Sequence, residues 1–192
     1  MRGRSPCWRI ALAGAVKSTA PWRHEIPWVA ALRGAAPFRL VAETEVRERV
    51  ARALREEAVK SLSAQVAIRP WRDGVELNGR IEAVVTRLCG VSLEAFDETI
   101  DEPMHVRIVP PGSVNVPKED DGAIVVDLEG DDPPDVMSGG AVDVAAYVVE
   151  HLALALDPFP RKPGAVFEAP AATTPASPFS VLSQLKPRGE SG

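Results

Sequence analysis

Between Ser61 and Val85 apolar residues return at every second position, and this pattern limits the fold more than any other feature of the chain. Leu62, Ala64, Val66 and Ile68 alternate with Ser63, Gln65 and Arg69. Val75, Leu77, Ile81, Ala83 and Val85 then alternate with Glu76, Asn78, Arg80 and Glu82. A period of two belongs to strands with one face buried and the other in water. Arg72-Asp73-Gly74 separates the runs, and a glycine after aspartate accepts positive φ cheaply, so the pair reads as a hairpin. Gly79 falls on the apolar face and marks either a bulge or a close approach of backbone. A third run extends from about Leu93 to Val109, with Met104, Val106 and Ile108 in alternation. Its pattern slips near Phe96, and Pro103 demands a break or an edge position. Ala123 to Leu128 reads as one more short strand, closed by Asp131-Asp132-Pro133-Pro134.

Two stretches have helical spacing instead. After a short strand from Phe38 to Ala42, Thr44 can cap a helix with Glu45 and Glu48 in its first turn, near the positive end of the dipole. Val46, Val50, Ala53 and Leu54 form its apolar stripe, and Arg47, Arg49, Arg52, Arg55, Glu56 and Glu57 its polar side. The second helix is capped by Asp143 and filled on one side by Tyr147, Val148, His151, Leu152, Ala155 and Leu156. It is apolar almost all round, which predicts deep burial, and Pro158 and Pro160 end it. The expected architecture is one α+β domain: an antiparallel sheet of four or five strands packed by two main helices, with a tethered C-terminal segment.

The chain has 192 residues, long enough to bury a core without disulfides or metal. Residues 1–22 read as a disordered extension, 23–167 as the folded domain with an acidic insert at 119–135, and 168–192 as a linker with a short terminal motif. Charge is uneven. Residues 1–60 carry twelve Lys/Arg against six Asp/Glu, whereas 119–135 hold eight acidic residues and no basic one. A net charge of −5 therefore says nothing against a local basic face. No apolar run approaches a membrane span of about 20 residues. The basic start and the short run from Ile10 to Val16 imitate a secretory signal, but about seven apolar residues are at the lower limit.

Catalytic patterns are absent from the sequence. Cys89 has no metal partner at short ligand spacing, since Cys7, His105 and His151 are all distant and no Cys-x-x-Cys exists, so it reads as a small buried hydrophobe. Glu150 and His151 are neighbours on a helix and point apart, and His151 reads as a hydrogen-bonded helix residue. There is no phosphate-binding glycine loop and no hydrolase or zinc-protease motif. A non-enzymatic protein without cofactors is expected. Two segments look made for contact. Arg161 and Lys162 sit on a rigid proline-rich exit from the second helix and are candidate RNA contacts, since cations on a stiff turn neutralise phosphates at low entropic cost. Phe179, Leu182 and Leu185 share one face of a short helix capped by Ser177 and are candidate docking residues.

Three ordered stretches, Val75–Phe96 (VELNGRIEAVVTRLCGVSLEAF), Val142–Gly164 (VDVAAYVVEHLALALDPFPRKPG) and Pro178–Lys186 (PFSVLSQLK), resemble the YceD family of bacterial and plastid proteins named for large-subunit ribosomal RNA accumulation. The resemblance covers Phe38 to Lys186 and leaves residues 1–20 unmatched. It implies a cytoplasmic factor that supports accumulation of large-subunit ribosomal RNA, with ribosomal RNA, a ribosomal protein or an assembly factor as partner and no membrane. An adaptor that docks through its C-terminal segment, without touching RNA, is the alternative. Many members carry Cys-x-x-Cys at the strand junction, suggestive of zinc, whereas this chain has Cys89-Gly90-Val91-Ser92.

Overall fold

The computed structural model describes residues 20–116, 119–120, 123–124 and 132–167. In chain order the elements are β1 (Glu25–Pro27), α1 (Trp28–Ala31), β2 (Ala35–Val41), α2 (Thr44–Leu54), β3 (Ala58–Trp71), β4 (Gly74–Leu88) and β5 (Ala95–Val109). Then come β6 (Glu119–Asp120), β7 (Ala123–Ile124), β8 (Asp135–Val136), β9 (Ala141–Asp143) and α3 (Val144–Ala155). The fold is α+β, built on a five-stranded sheet in the order β2-β3-β4-β5-β8. Its first three pairings are antiparallel, and β8 joins β5 in parallel. The fifth strand is thus Asp135–Val136, not the segment from Ala123. Ala123–Ile124 instead pairs with Glu119–Asp120 in a two-stranded ribbon, and 125–128 lie outside the described residues.

The alternation read from the sequence sets the register. Leu62, Ala64, Val66 and Ile68 of β3 face the same side as Leu77, Ile81, Ala83 and Val85 of β4, and all are buried. Ile100, Met104, Val106 and Ile108 of β5 complete that side. Side chains such as Leu62, Leu77 and Ile81 are almost wholly withdrawn from water. Each contributes about 1.5–3 kcal/mol through burial. The same register turns Gln65, Arg69, Arg80 and His105 to the outer face, where they are exposed among the described residues.

The structure decides the expectations about backbone. The hairpin residue at positive φ is Arg72 (φ 52), and Gly74 is required for another reason: a Cβ there would lie 2.0 Å from the Ile108 carbonyl oxygen. Gly79 is a close approach and not a bulge, since its Cβ would lie 2.6 Å from the Gln65 carbonyl oxygen. β5 starts at Ala95 and runs unbroken through Phe96 and Pro103. Pro103 pairs with Arg80 on one side, and β8 covers only Ile108 and Val109 on the other. At Pro103, β5 is therefore an edge strand among the described residues, a place where proline is tolerated.

The helices differ from expectation in detail. In α2 the residue before the helix is Glu43, and Thr44 is its first residue, with its hydroxyl accepting from Arg47 Nη2 at 3.0 Å. Val50 and Ala51 are buried, whereas Ala53 is exposed, because the stripe turns toward Ala51. Asp143 caps α3 as expected, Oδ1 accepting from Ala146 N at 3.3 Å. Burial of α3 is one-sided: Val144, Ala145, Val148, Val149 and Leu152 are inside, but Leu154 is 77% exposed. Upstream of Phe38 the chain already has structure. β1 pairs with β9, and His24 N donates to Asp143 Oδ1 at 2.9 Å.

Candidate functional site

The core face of β4 continues past Val85 to Arg87, and the register delivers that guanidinium into the protein. Arg87 is only 3% exposed. Its Nη1 donates to Glu98 Oε2 at 2.7 Å, Nε to Glu56 Oε1 at 3.2 Å, and Nη2 to the Asp157 carbonyl at 2.7 Å. A buried cation with one partner would be costly; here every nitrogen has an acceptor. The arrangement depends on Arg55, which ends α2 at φ 60 and thereby turns Glu56 toward Arg87. One side chain thus ties together the end of α2, β4, β5 and the chain leaving α3.

The residues that follow β4 form a tight turn against that same exit. Cys89 is fully buried. Its N–H donates to the Glu94 carbonyl at 2.9 Å, and Leu93 N returns to the Cys89 carbonyl at 2.9 Å. Val91 N and Ser92 N both donate to Cys89 Sγ at 3.4 Å. The Ser92 hydroxyl, with backbone N–H groups of Ser92, Lys162 and Val91, lowers the thiol to about 6. Cys89 is more than a small buried hydrophobe, because its sulfur sits in a nest of donors that favours the thiolate.

Gly90 N donates to the Pro160 carbonyl at 2.8 Å, and Lys162 Nζ reaches Glu94 Oε2 at 2.9 Å. Asp157 Oδ1 accepts from Phe159 N at 2.8 Å, which shapes the proline turn itself. The Cys89 turn and the 157–162 exit therefore form one unit. The donor set there does not suit zinc: one sulfur is present, Ser92 stands where a second would be needed, and among the described residues no three His, Cys, Asp or Glu side chains group together.

The predicted contact residues separate on this unit. Arg161 is exposed, while Lys162 is held back by Glu94. Among the described residues Leu93 (76% exposed), Phe159 (78%) and Leu154, near the exit in sequence or in the turn it packs on, have no apolar cover. Phe179, Leu182 and Leu185 lie outside the described residues, as do Cys7 and the 168–176 linker. His151 hydrogen-bonds within its helix, Nδ1 to the Tyr147 carbonyl at 3.0 Å. His105 sits on the sheet instead, with Nε2 2.6 Å from Glu76 Oε1. That hydrogen bond, together with Arg107, holds the Glu76 carboxyl below the usual range.

Arg87 was not singled out by sequence reasoning, although one signal was there: it continues the odd-numbered buried positions 75 to 85. The cations at the hairpin tip escaped as well. Arg72 lies 4.5 Å and Arg107 5.1 Å from the Trp71 ring centroid, an arrangement that unites residues 35 positions apart.

No helix among the described residues is long and apolar enough to cross a membrane. No curated protein and no solved structure matches the chain. The family described as large ribosomal RNA subunit accumulation protein YceD matches residues 77–186, a span that starts within β4 and not at Phe38. That span contains the Cys89 turn, α3, the proline exit and the terminal Pro-Phe motif, and it exceeds half of the sequence. The chain belongs to the YceD family.

Proposed function

We propose that this protein is a non-enzymatic cytoplasmic factor that supports accumulation of large-subunit ribosomal RNA through contacts with RNA, a ribosomal protein or an assembly factor. The observation that carries the reading is the family match across the Cys89 turn and the α3 exit, two segments that hydrogen bonds join into one surface. In that unit Arg87 is paired with Glu56 and Glu98, which fixes the end of α2 against β4 and β5. Arg161 is its outward cation and the candidate RNA contact, with Lys162 beside it. Deleting the gene should lower large-subunit relative to small-subunit ribosomal RNA and reduce free large subunits in a sucrose gradient. An unchanged ratio with a normal gradient, during both fast and cold growth, would refute the reading.

A protein adaptor working through its C-terminal segment is the second reading. It is favoured by the exposed Leu93, Leu154 and Phe159 at the place where the chain leaves the domain. Truncation after Phe167 distinguishes the two. An adaptor would lose partner capture and keep its melting temperature, because Phe179, Leu182 and Leu185 would then bury against the partner.

A further inference from the structure

No helix among the described residues lies over the outer face of the β3-β4-β5 sheet, and its charges are unevenly placed. Midway along, cations are matched: Arg80 pairs with Asp101, and Arg39 lies 3.6 Å from Glu82. Toward the hairpin tip the balance changes. Arg69, Glu76 and Arg107 form one row across the three strands, and Arg72 follows at the turn. Glu76 is the one outward carboxylate of that row, and His105 at 2.6 Å and Arg107 at 3.7 Å already engage it. Asp73 at the turn is bound by Asn115 Nδ2 at 2.6 Å. Arg69 is exposed with no acidic partner among the described residues.

The tip is also stiff. Asn115 Oδ1 accepts from Arg72 Nη1 at 2.8 Å, so one asparagine bridges both turn residues. Trp71 takes the Arg72 and Arg107 guanidinium groups against its ring. Arg72 keeps φ at 52, a conformation that glycine or asparagine would adopt at lower cost. Backbone strain held by surrounding contacts is a mark of a working position.

Resting on the functional reading above, we infer that this end of the open sheet, made by Arg69, Trp71, Arg72, His105 and Arg107, binds single-stranded RNA. The cations supply phosphate contacts, and their pre-set geometry leaves little side-chain entropy to lose. The exposed guanidinium planes of Arg69 and Arg72 and the His105 imidazole are stacking surfaces for unpaired bases, which an open sheet can receive side by side, while Arg107 supports the Trp71 ring. Duplex RNA offers no free base faces to such a surface. An acidic peptide would satisfy the charges alone and gain nothing from the planar groups.

The test uses the full-length protein and fluorescence anisotropy with a labelled single-stranded RNA of about 20 nucleotides. Arg69→Glu/Arg72→Glu should weaken binding about tenfold or more and reduce the salt slope by roughly 1.4, about 0.7 per lost phosphate contact. Its melting curve should match the wild type. Equal affinity for a duplex, equal competition by polyglutamate, no measurable binding by the wild type, or full binding by the double variant would each overturn the inference. The ribosomal RNA ratio in cells lacking the gene is independent of this surface. A lowered ratio beside normal binding by the double variant rejects the surface and leaves the functional reading standing.

Discussion

The two ends of the β3–β4 hairpin use arginine in opposite ways. At the Leu88 end, Arg87 is sealed inside, and two carboxylates and a carbonyl consume its donors. At the tip, Arg69 and Arg72 stand in water, with an asparagine and a tryptophan holding Arg72 in place. Strand parity decides between the two. Position 87 shares the core side with 75 to 85, whereas 69 falls on the other side of its strand. Identical chemistry thus becomes a structural joint at one end and a recognition surface at the other.

Substitutions at the two ends should separate stability from binding. Arg87→Ala should have the largest effect on folding, because it leaves Glu56 and Glu98 without their cation and the Asp157 carbonyl without its donor. The cost should be about 3 kcal/mol, or roughly 6–12 °C in melting temperature, measured by urea and thermal unfolding. Arg87→Ala unfolding like the wild type would mean that the joint is an ordinary surface pair. Gly74→Ala comes next. Its new Cβ cannot avoid the Ile108 carbonyl, so the tip must shift away from β5 at a cost of about 2 kcal/mol.

Cys89, at the buried end, titrates in a way that tests its surroundings. In a Cys7→Ser background, thiolate absorbance at 240 nm should rise with a midpoint of about 6, because Ser92 and the backbone donors stabilise the anion. A midpoint near the ordinary value of 9 would show that the nest does not act on the sulfur. The sign of the linkage follows from the lowered value. The thiolate's stabilising contribution is complete above about pH 9, and it is lost as pH falls through about 6. Cys89→Ala should therefore lower the melting temperature by a few degrees, more at pH 9 than at pH 5. Arg161→Glu, exposed on the same unit, should change stability by less than about 0.5 kcal/mol.

The sheet was legible because alternation is a local signal. Leu62 to Ile68 and Val75 to Val85 name their own buried face, and Asp143 announces a helix by its place before Val144. The site was less legible because its partners are distant. Nothing local to Arg87 indicates that Glu56, 31 residues back, and Asp157, 70 residues on, will meet it. Gly74 was assigned to the turn for its φ, while its real constraint is the Ile108 backbone on another strand. β8 and β1, of two and three residues, are too short to show any period. The one-sided burial of α3 could not be read from composition, since Leu154 is as apolar as Leu152 and differs only in what lies opposite.

On the reading proposed above, the tip of the hairpin works for ribosomal RNA while the opposite end keeps the fold. The most direct measurement is the ratio of large-subunit to small-subunit ribosomal RNA in cells whose only copy of the gene carries Arg69→Glu/Arg72→Glu. With the variant at wild-type abundance, the ratio should fall toward that of cells lacking the gene. A ratio indistinguishable from wild type would contradict the claim.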